Sequence, residues 1–536
     1  MLIACLILKS FMHKILIVFF IYLASFYQLD AQIFPRESSR LNYRIIGFSF
    51  PSKPTVNKYN IEIAAGAYNS EDSFKKNIIK SFSGDNNKII GEVPAFGKQY
   101  TWRYIYMNPV QIKSSFYHFS TGIIPEADTN VTRLRIMKHA EKHKDAYIFS
   151  DAARTLYDMN GMPVWFVPES REMPAGNEAV YGGFKFTNEG TITFGWKSKS
   201  RSRRRGKDQH QQVYEINYNG EILWKAPNNG KISGDSIEYY HHEFTKLTNG
   251  HYMLFGSEFK LLKVPLGADS KLISGDKIIY DSVSNAVYQE IEFGTIIEYD
   301  SNNNIVWSWK SSAYFMGSDV YNHTTSDGIY DIEDAHDNAF YFDEKAKIIY
   351  VSCRNISRII KVQYPSGKIL KVYGKLYKAD TPGYDNKLFY HQHNCRLTKE
   401  GYLSVYNNND RYPGSLPTLL LMQEPVSEQD TLKKVWEYAC TIDDKYKFES
   451  VPDFGSRGSL MELPDQSMLA CMTSVEYTKI FIVSRDKKIL WSAMPERWNA
   501  DEHRWKSYFE YSTFMIINKK ELERLIWSFG GAQDDK

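Results

Sequence analysis

The sequence predicts an all-β chain: a six-bladed β-propeller preceded by a small N-terminal β-sandwich domain. Three observations carry that expectation. Helical periodicity is scarce, and short alternating runs separated by Gly, Asn and Asp turns fill most of the chain. Aromatic residues make up 15% of it, with 38 Tyr, 31 Phe and 11 Trp, a load that suits strands better than helices. Finally, a unit made of a polar turn, an aliphatic strand and usually a closing Trp recurs six times.

The recurring unit reads Tyr157-Asp-Met-Asn-Gly-Met-Pro-Val-Trp165, then Asn217-Tyr-Asn-Gly-Glu-Ile-Leu-Trp224, then Tyr299-Asp-Ser-Asn-Asn-Asn-Ile-Val-Trp307. Tyr364-Pro-Ser-Gly-Lys-Ile-Leu370 lacks the Trp, Asp430-Thr-Leu-Lys-Lys-Val-Trp436 is looser, and Ser484-Arg-Asp-Lys-Lys-Ile-Leu-Trp491 closes the series. The copies end 59, 83, 63, 66 and 55 residues apart, long enough for a four-stranded sheet each. A second turn signal precedes several copies: Thr187 to Gly190, Leu247 to Gly250, Leu397 to Gly401 and Leu463 to Gln466. These turns are expected to close the first hairpin of each blade, whose first strand lines the central channel.

Two stretches carry helical spacing, Val131 to His143 and Lys519 to Ile526. Residues 34–119 differ from the rest. Tyr43 to Phe50, Tyr59 to Ile63 and Gln99 to Tyr106 alternate as strands, which suggests a fibronectin- or Ig-like sandwich without chemistry of its own. Ahead of it, Lys9, His13 and Lys14 precede the apolar run Ile15 to Leu23, and Ala31 offers a cleavage point. The expected organisation is therefore a signal peptide at 1–31, a sandwich at 32–120 and a catalytic propeller at 121–536, in a periplasmic or secreted protein. No later stretch is apolar for long enough to span a membrane.

A formal charge of +3, from 66 Lys and Arg against 63 Asp and Glu, argues against a nucleic-acid partner. The charge anomaly is the basic run Lys197 to Lys207. It reads as a solvated hairpin loop, with a docking surface for anionic glycans or lipid headgroups as the alternative. Cys353, Cys395, Cys440 and Cys471 are far apart, so the sequence assigns no disulfide and supports no zinc site.

Three histidines recur at related places. His242 lies eight residues before Gly250, His393 eight before Gly401, and His336 about as far before the turn near Asp343. If the repeat holds, all three sit at the start of inner strands and converge on one mouth of the channel. Beside them stand His241-His242-Glu243, Asp334-Ala335-His336-Asp337-Asn338, Arg354-Asn355 and His391-Gln392-His393-Asn394. A neutral, oriented imidazole is a competent nucleophile. An Arg fork suits a tetrahedral oxyanion. The set has no carboxylate pair for glycoside hydrolysis. Three His also form zinc sites, but Arg354 would repel a cation placed there. His241, His251, His323 and His391 read as structural or supporting residues. A quinone-dependent dehydrogenase would want adjacent cysteines and a carboxylate calcium site, and neither is visible.

At these residues the chain resembles the bacterial arylsulfate sulfotransferase family, over most of its length from about residue 30. The resemblance rests on His241-His242-Glu243 with Leu247 to Gly250, on Ala335-His336-Asp337-Asn338-Ala339, on Ser352-Cys353-Arg354 and on Gln392-His393-Asn394. It implies that His393 is the sulfated nucleophile. It implies that His242, His336 and Arg354 bind the sulfuryl oxygens, that one His protonates the leaving phenolate, and that Asn338 supports the pocket. Donor and acceptor would be an aryl sulfate and a phenol, by a ping-pong route with no nucleotide donor, no cofactor and no metal. A homodimer is the candidate assembly. The chain departs from the family pattern at Asn394, where an Asp is expected, and at Cys353, where a Ser is expected. The alternative reading is a catalytically silent propeller that binds a sulfated or phenolic ligand.

Overall fold

The computed structural model describes residues 33–108, 110–173, 179–198, 211–264, 278–315, 323–324, 330–331, 335–374, 388–409, 415–427, 431–443, 454, 457–474, 476–508, 513–516 and 518–529. The expected signal peptide at 1–31, most of the basic run and Asp334 lie outside these residues. The chain divides into two compact units, residues 1–123 and 124–536. Both are nearly all-β. Among the described residues no helix is long and apolar enough to cross a membrane.

The first unit holds a six-stranded sheet and a two-stranded one, Ile45–Ser49 with Lys88–Glu92. Its core is aromatic, with Phe48 edge-on to Trp102 at 4.9 Å. Arg103 is buried and is answered by Glu62 at 2.7 Å and by Glu71. The bonds from Arg103 and then Lys113 pull the Glu71 carboxyl down to about 2.

In the second unit, six of the described antiparallel sheets share a run of four up-and-down strands; one of them adds a fifth strand, Ile278–Asp281, another adds Thr132–Lys138 and Arg504–Ser507, and a separate ribbon pairs His323–Thr324 with Tyr330–Asp331. We label the six A to F. Sheet A joins Tyr147–Ser150, Thr155–Asp158 and Pro163–Phe166 to the C-terminal strand Thr513–Ile516, which supplies its first position. Sheets B to F begin with Ala179–Phe186, Phe244–Lys246, Asp337–Asp343, His393–Leu397 and Ser459–Glu462. The turns at 187–191, 247–251, 398–402 and 463–467 connect first to second strands, as the sequence predicts. The helical reading of Lys519 to Ile526 also holds.

The reading of Val131 to His143 as a helix is overturned. Thr132–Lys138 is a strand paired with the fourth strand of sheet F, Ile489–Asn499. Thr132 and Leu134 face inward, while Arg133 and Arg135 both reach Glu496 at 2.7–2.8 Å. A partner 361 residues away decides the conformation, and the local spacing is coincidental.

The recurring turn and Trp have a shared physical cause. In four copies the first polar residue closes the turn that joins third to fourth strands, and in the copy that begins at Tyr364 the preceding Gln363 does so. Examples are Asp158 N–H to the Met162 carbonyl and Asn217 N–H to the Glu221 carbonyl. The tight positions, such as Gly161 and Gly220, have φ of 83° and 82°, where glycine carries no Cβ penalty. The Trp indole N–H then reaches a carbonyl in the matching turn of the next sheet. Trp165 donates to Tyr218 at 2.7 Å, Trp307 to Pro365 at 2.7 Å and Trp436 to Arg485 at 2.8 Å. Trp491 of sheet F donates to Met159 of sheet A at 3.1 Å. Trp224 instead stacks on Tyr252 of sheet C at 3.7 Å.

Apolar clusters lie between successive sheets. Trp224 and Leu254 join B to C, Phe255 and Phe340 join C to D, and Tyr350 and Leu420 join D to E. Leu419 and Phe481 join E to F, and Trp491 and Ile148 join F back to A. Phe149 against Phe184 at 4.6 Å joins A to B. Cys353, Cys395, Cys440 and Cys471 are free and buried within this packing.

Candidate active site

A cavity of about 520 Å³ takes its lining from the starts of all six sheets, with His242, Asn338 and His393 at its wall. His336 and Arg354 adjoin these lining residues. The His336 ring centre is 6.0 Å from that of His242, and Arg354 N–H donates to the His336 carbonyl at 2.9 Å. The structure thus brings together His242, His336, Asn338, Arg354 and His393.

Their register differs from the shared position expected. His242 lies two residues ahead of its strand, His336 one ahead, and His393 is the first residue of its strand. Convergence comes from local bends. His242 and His336 have φ of 59° and 50°, a region that disfavours residues with a Cβ. Bulges follow Asp337 in sheet D and His393 in sheet E.

His393 is 3% exposed. Its Nδ1 lies 2.7 Å from Asn408 Oδ1. The Asn408 amide is pinned by Nδ2, which donates to the carbonyls of Phe454 at 2.7 Å and Arg457 at 2.9 Å. Oδ1 can only accept, so Nδ1 carries the ring proton and Nε2 keeps its lone pair. Burial and then the Arg354 charge hold His393 down at about 3. The ring is therefore neutral at physiological pH. Asn408, at the end of the second strand of sheet E, is the orienting residue. Asn394, where the family pattern has an Asp, lines the cavity with Oδ1 buried and without a hydrogen bond.

His242 joins a chain of hydrogen bonds. Its Nδ1 is 2.5 Å from His241 Nδ1, His241 Nε2 is 2.8 Å from Ser257 Oγ, and Ser257 donates to Glu292 at 2.5 Å. Burial lowers His241 to about 4, so it holds a single N–H. Ser257 gives its proton to the carboxylate, so His241 donates to Ser257 through Nε2 and accepts from His242 at Nδ1. The His242 lone pair is then on Nε2. Burial, followed by the charges of His241 and His336, holds His242 well below the ordinary range. Burial and then Arg354 do the same to His336.

Asn338 braces the strand that begins at His393, with Nδ2 donating to the Gln392 carbonyl at 3.0 Å. Gln392 in turn donates to Ser352 Oγ at 3.0 Å and to the carbonyls of Cys353 and Arg358. Sequence reasoning missed Asn408, Arg457 and the route through Ser257 to Glu292. A run of three Asn at 407–409 was the available signal for the first.

Comparison with curated proteins gives no match. Solved structures share only distant likeness. A protein of unknown function from Bacteroides caccae is 11% identical over 68% of this chain and 93% of that one, with a TM-score of 0.36. The periplasmic gluconolactonase of Pseudomonas aeruginosa is 9% identical over 85% and 99%, at 0.31. A quinoprotein alcohol dehydrogenase-like protein from Bacteroides thetaiotaomicron is 10% identical over 90% and 98%, at 0.31. Likenesses of that depth carry no argument. The model of the family Arylsulfotransferase (ASST) matches residues 123–442, a span that contains His242, His336, Asn338, Arg354, His393 and Asn408. The chain belongs to the arylsulfotransferase family.

Proposed function

We propose that the protein moves a sulfuryl group from an aryl sulfate to a phenol through a covalent intermediate on His393. The observation that carries this reading is the neutral His393 ring, pinned by Asn408 with its Nε2 lone pair available beside His242. In the first half, Nε2 attacks sulfur, an S–N bond forms and the S–O bond to the aryl oxygen breaks. A proton entering at Glu292 shifts the protons of Ser257, His241 and His242 by one place each, so that His242 Nε2, unprotonated at rest, holds the proton that the leaving phenolate takes. In the second half, an acceptor phenol gives its proton to His242 Nε2, its oxygen attacks sulfur and the S–N bond breaks. Protons enter and leave along His242, His241, Ser257 and Glu292, so the two halves balance. Arg354 and His336 stabilise the sulfuryl oxygens as charge spreads over them. No nucleotide donor enters the scheme.

The same reading takes sheets A to F as the blades of a six-bladed β-propeller; the packing of F back onto A supports it. It takes residues 32–120 as the sandwich and residues 1–31 as a leader for export to the periplasm or medium. A homodimer and the absence of a nucleic-acid partner belong to the proposal too.

The test is intact-mass analysis after brief exposure to 4-nitrophenyl sulfate, with His393→Ala alongside. The expected result is a gain of one SO₃ group on the wild type only, with release of 4-nitrophenol. A folded protein that neither gains the group nor releases nitrophenol would overturn the covalent reading and favour a propeller that only binds its ligand.

A further inference from the structure

The same cavity holds charge that sulfuryl transfer leaves unused. Arg396 stands three residues beyond His393 on the first strand of sheet E, roughly 10 Å along it. It lines the cavity, and its Nε is buried without a hydrogen-bond partner. Among the described residues it forms no ion pair, and the groups that act on its charge are Cys395 and Tyr341. Lys185 enters from sheet B, three places round the packing order from E, and reaches over the Phe340 ring of sheet D at 5.9 Å. Its ammonium is committed to Glu243 and to Thr245 Oγ1 at 2.9 Å.

The carboxylates on the lining are otherwise engaged. Glu243 is bound by Lys185, Glu462 by Arg485 at 2.6 Å, and Glu521 faces Arg524 at 3.8 Å. Among the described residues nothing negative answers Arg396. A cation withdrawn from water without a counter-charge is costly, and a ligand anion is the natural complement. Phe184, Leu460 and Phe514 give the cavity apolar wall for an aromatic ring. The nucleophile and the unpaired cation thus share one strand, separated by about the span of a para-substituted phenyl ring.

We propose that Arg396 binds a carboxylate on the acceptor, so that phenols with a para-carboxyl arm are preferred over neutral phenols. The geometry rests on His393 as the transfer centre. The test uses 4-nitrophenyl sulfate as donor, with 4-hydroxyphenylacetate and 4-methylphenol as competing acceptors. Wild type is expected to favour the carboxylate by at least about tenfold in kcat/KM, as a charge-assisted bond implies. Arg396→Gln should bring the ratio to near one, and Arg396→Lys should restore part of it. A wild-type ratio near one, or a wild-type ratio retained in Arg396→Gln, overturns the proposal. Calorimetry without donor separates the two readings. Arg396-dependent binding of 4-hydroxyphenylacetate in a protein that sulfates no phenol upholds the carboxylate site and removes the transfer reading. Equal displacement by sodium sulfate and by 4-methylphenol, or no binding, overturns the site itself.

Discussion

Replacing Asn408 with Ala would release the His393 ring. The bond from Nδ1 to Oδ1 is 2.7 Å long and buried. A neutral bond of this kind contributes about 1–1.5 kcal/mol, roughly tenfold in the ratio of the two imidazole tautomers. The same contact fixes the ring angle, which is otherwise broad and two-fold, and its loss takes about another factor of ten in the reactive rotamer. Sulfation of His393 should therefore slow about 100-fold. The variant also loses the donors to Phe454 and Arg457, about 1 kcal/mol each, so its urea midpoint falls. The assay is single-turnover release of 4-nitrophenol under conditions where circular dichroism reports an intact fold. Histidine ¹⁵N shifts read the tautomer directly. A folded Asn408→Ala protein that releases nitrophenol within about threefold of wild type, with His393 still protonated on Nδ1, refutes the tautomer argument.

Acid should weaken the fold through its buried neutral histidines. His393 and His241 sit at about 3 and about 4, below the ordinary value of 6.5. The unfolded chain takes up their protons as pH falls through 6.5 while the folded chain does not. Stability is complete above about 6.5 and falls by up to about 1.4 kcal/mol per pH unit per group toward the folded values, read as urea midpoints at neutral and mildly acid pH. Trp165→Phe should cost about 1–3 kcal/mol, because it strands the buried Tyr218 carbonyl, whereas Trp307→Phe at an exposed bond should cost less than about 1; urea midpoints of the two variants compare them. Gly183→Ala would place a Cβ 2.8 Å from the His242 carbonyl at a φ of 68°. It should lower stability by about 1–2 kcal/mol and cut transfer further by displacing His242, so melting and turnover must both move. Ser257→Ala cuts the path from His241 to Glu292 and should slow transfer from poor leaving groups more than from 4-nitrophenol, measured across a series of aryl sulfates.

The repeat was legible because its turn is a local device written again and again, a polar residue and a tight positive-φ position, followed in four copies by an indole that donates to a carbonyl of the next sheet. The five predicted site residues were legible because the same repeat carries them to one place. What escaped depends on distance. Thr132–Lys138 takes its conformation from Ile489–Asn499, and no window of sequence contains both. Asn408 serves His393 from fifteen residues away on the neighbouring strand. Arg396 acquires meaning only when the six sheets face one cavity. The one-residue differences among His242, His336 and His393 come from bends and bulges that a fixed count to the next glycine cannot register.

Sheet A takes its first strand from Thr513–Ile516, while its second begins at Tyr147. In order of synthesis, the early strands of this sheet leave the ribosome with one edge unserved, and the segment that covers it is among the last made. Trp491 likewise waits to find the Met159 carbonyl, 332 residues upstream. Closure is thus the final event for the nascent chain, and contacts of that separation are slow to form. Until then the strand at 147–150 is an open edge of the kind that pairs with other chains. A chain that stops short of residue 513 would keep His242, His336 and His393 in their own sheets yet lose the cavity wall at Phe514. It would be an aggregation hazard rather than a slow enzyme.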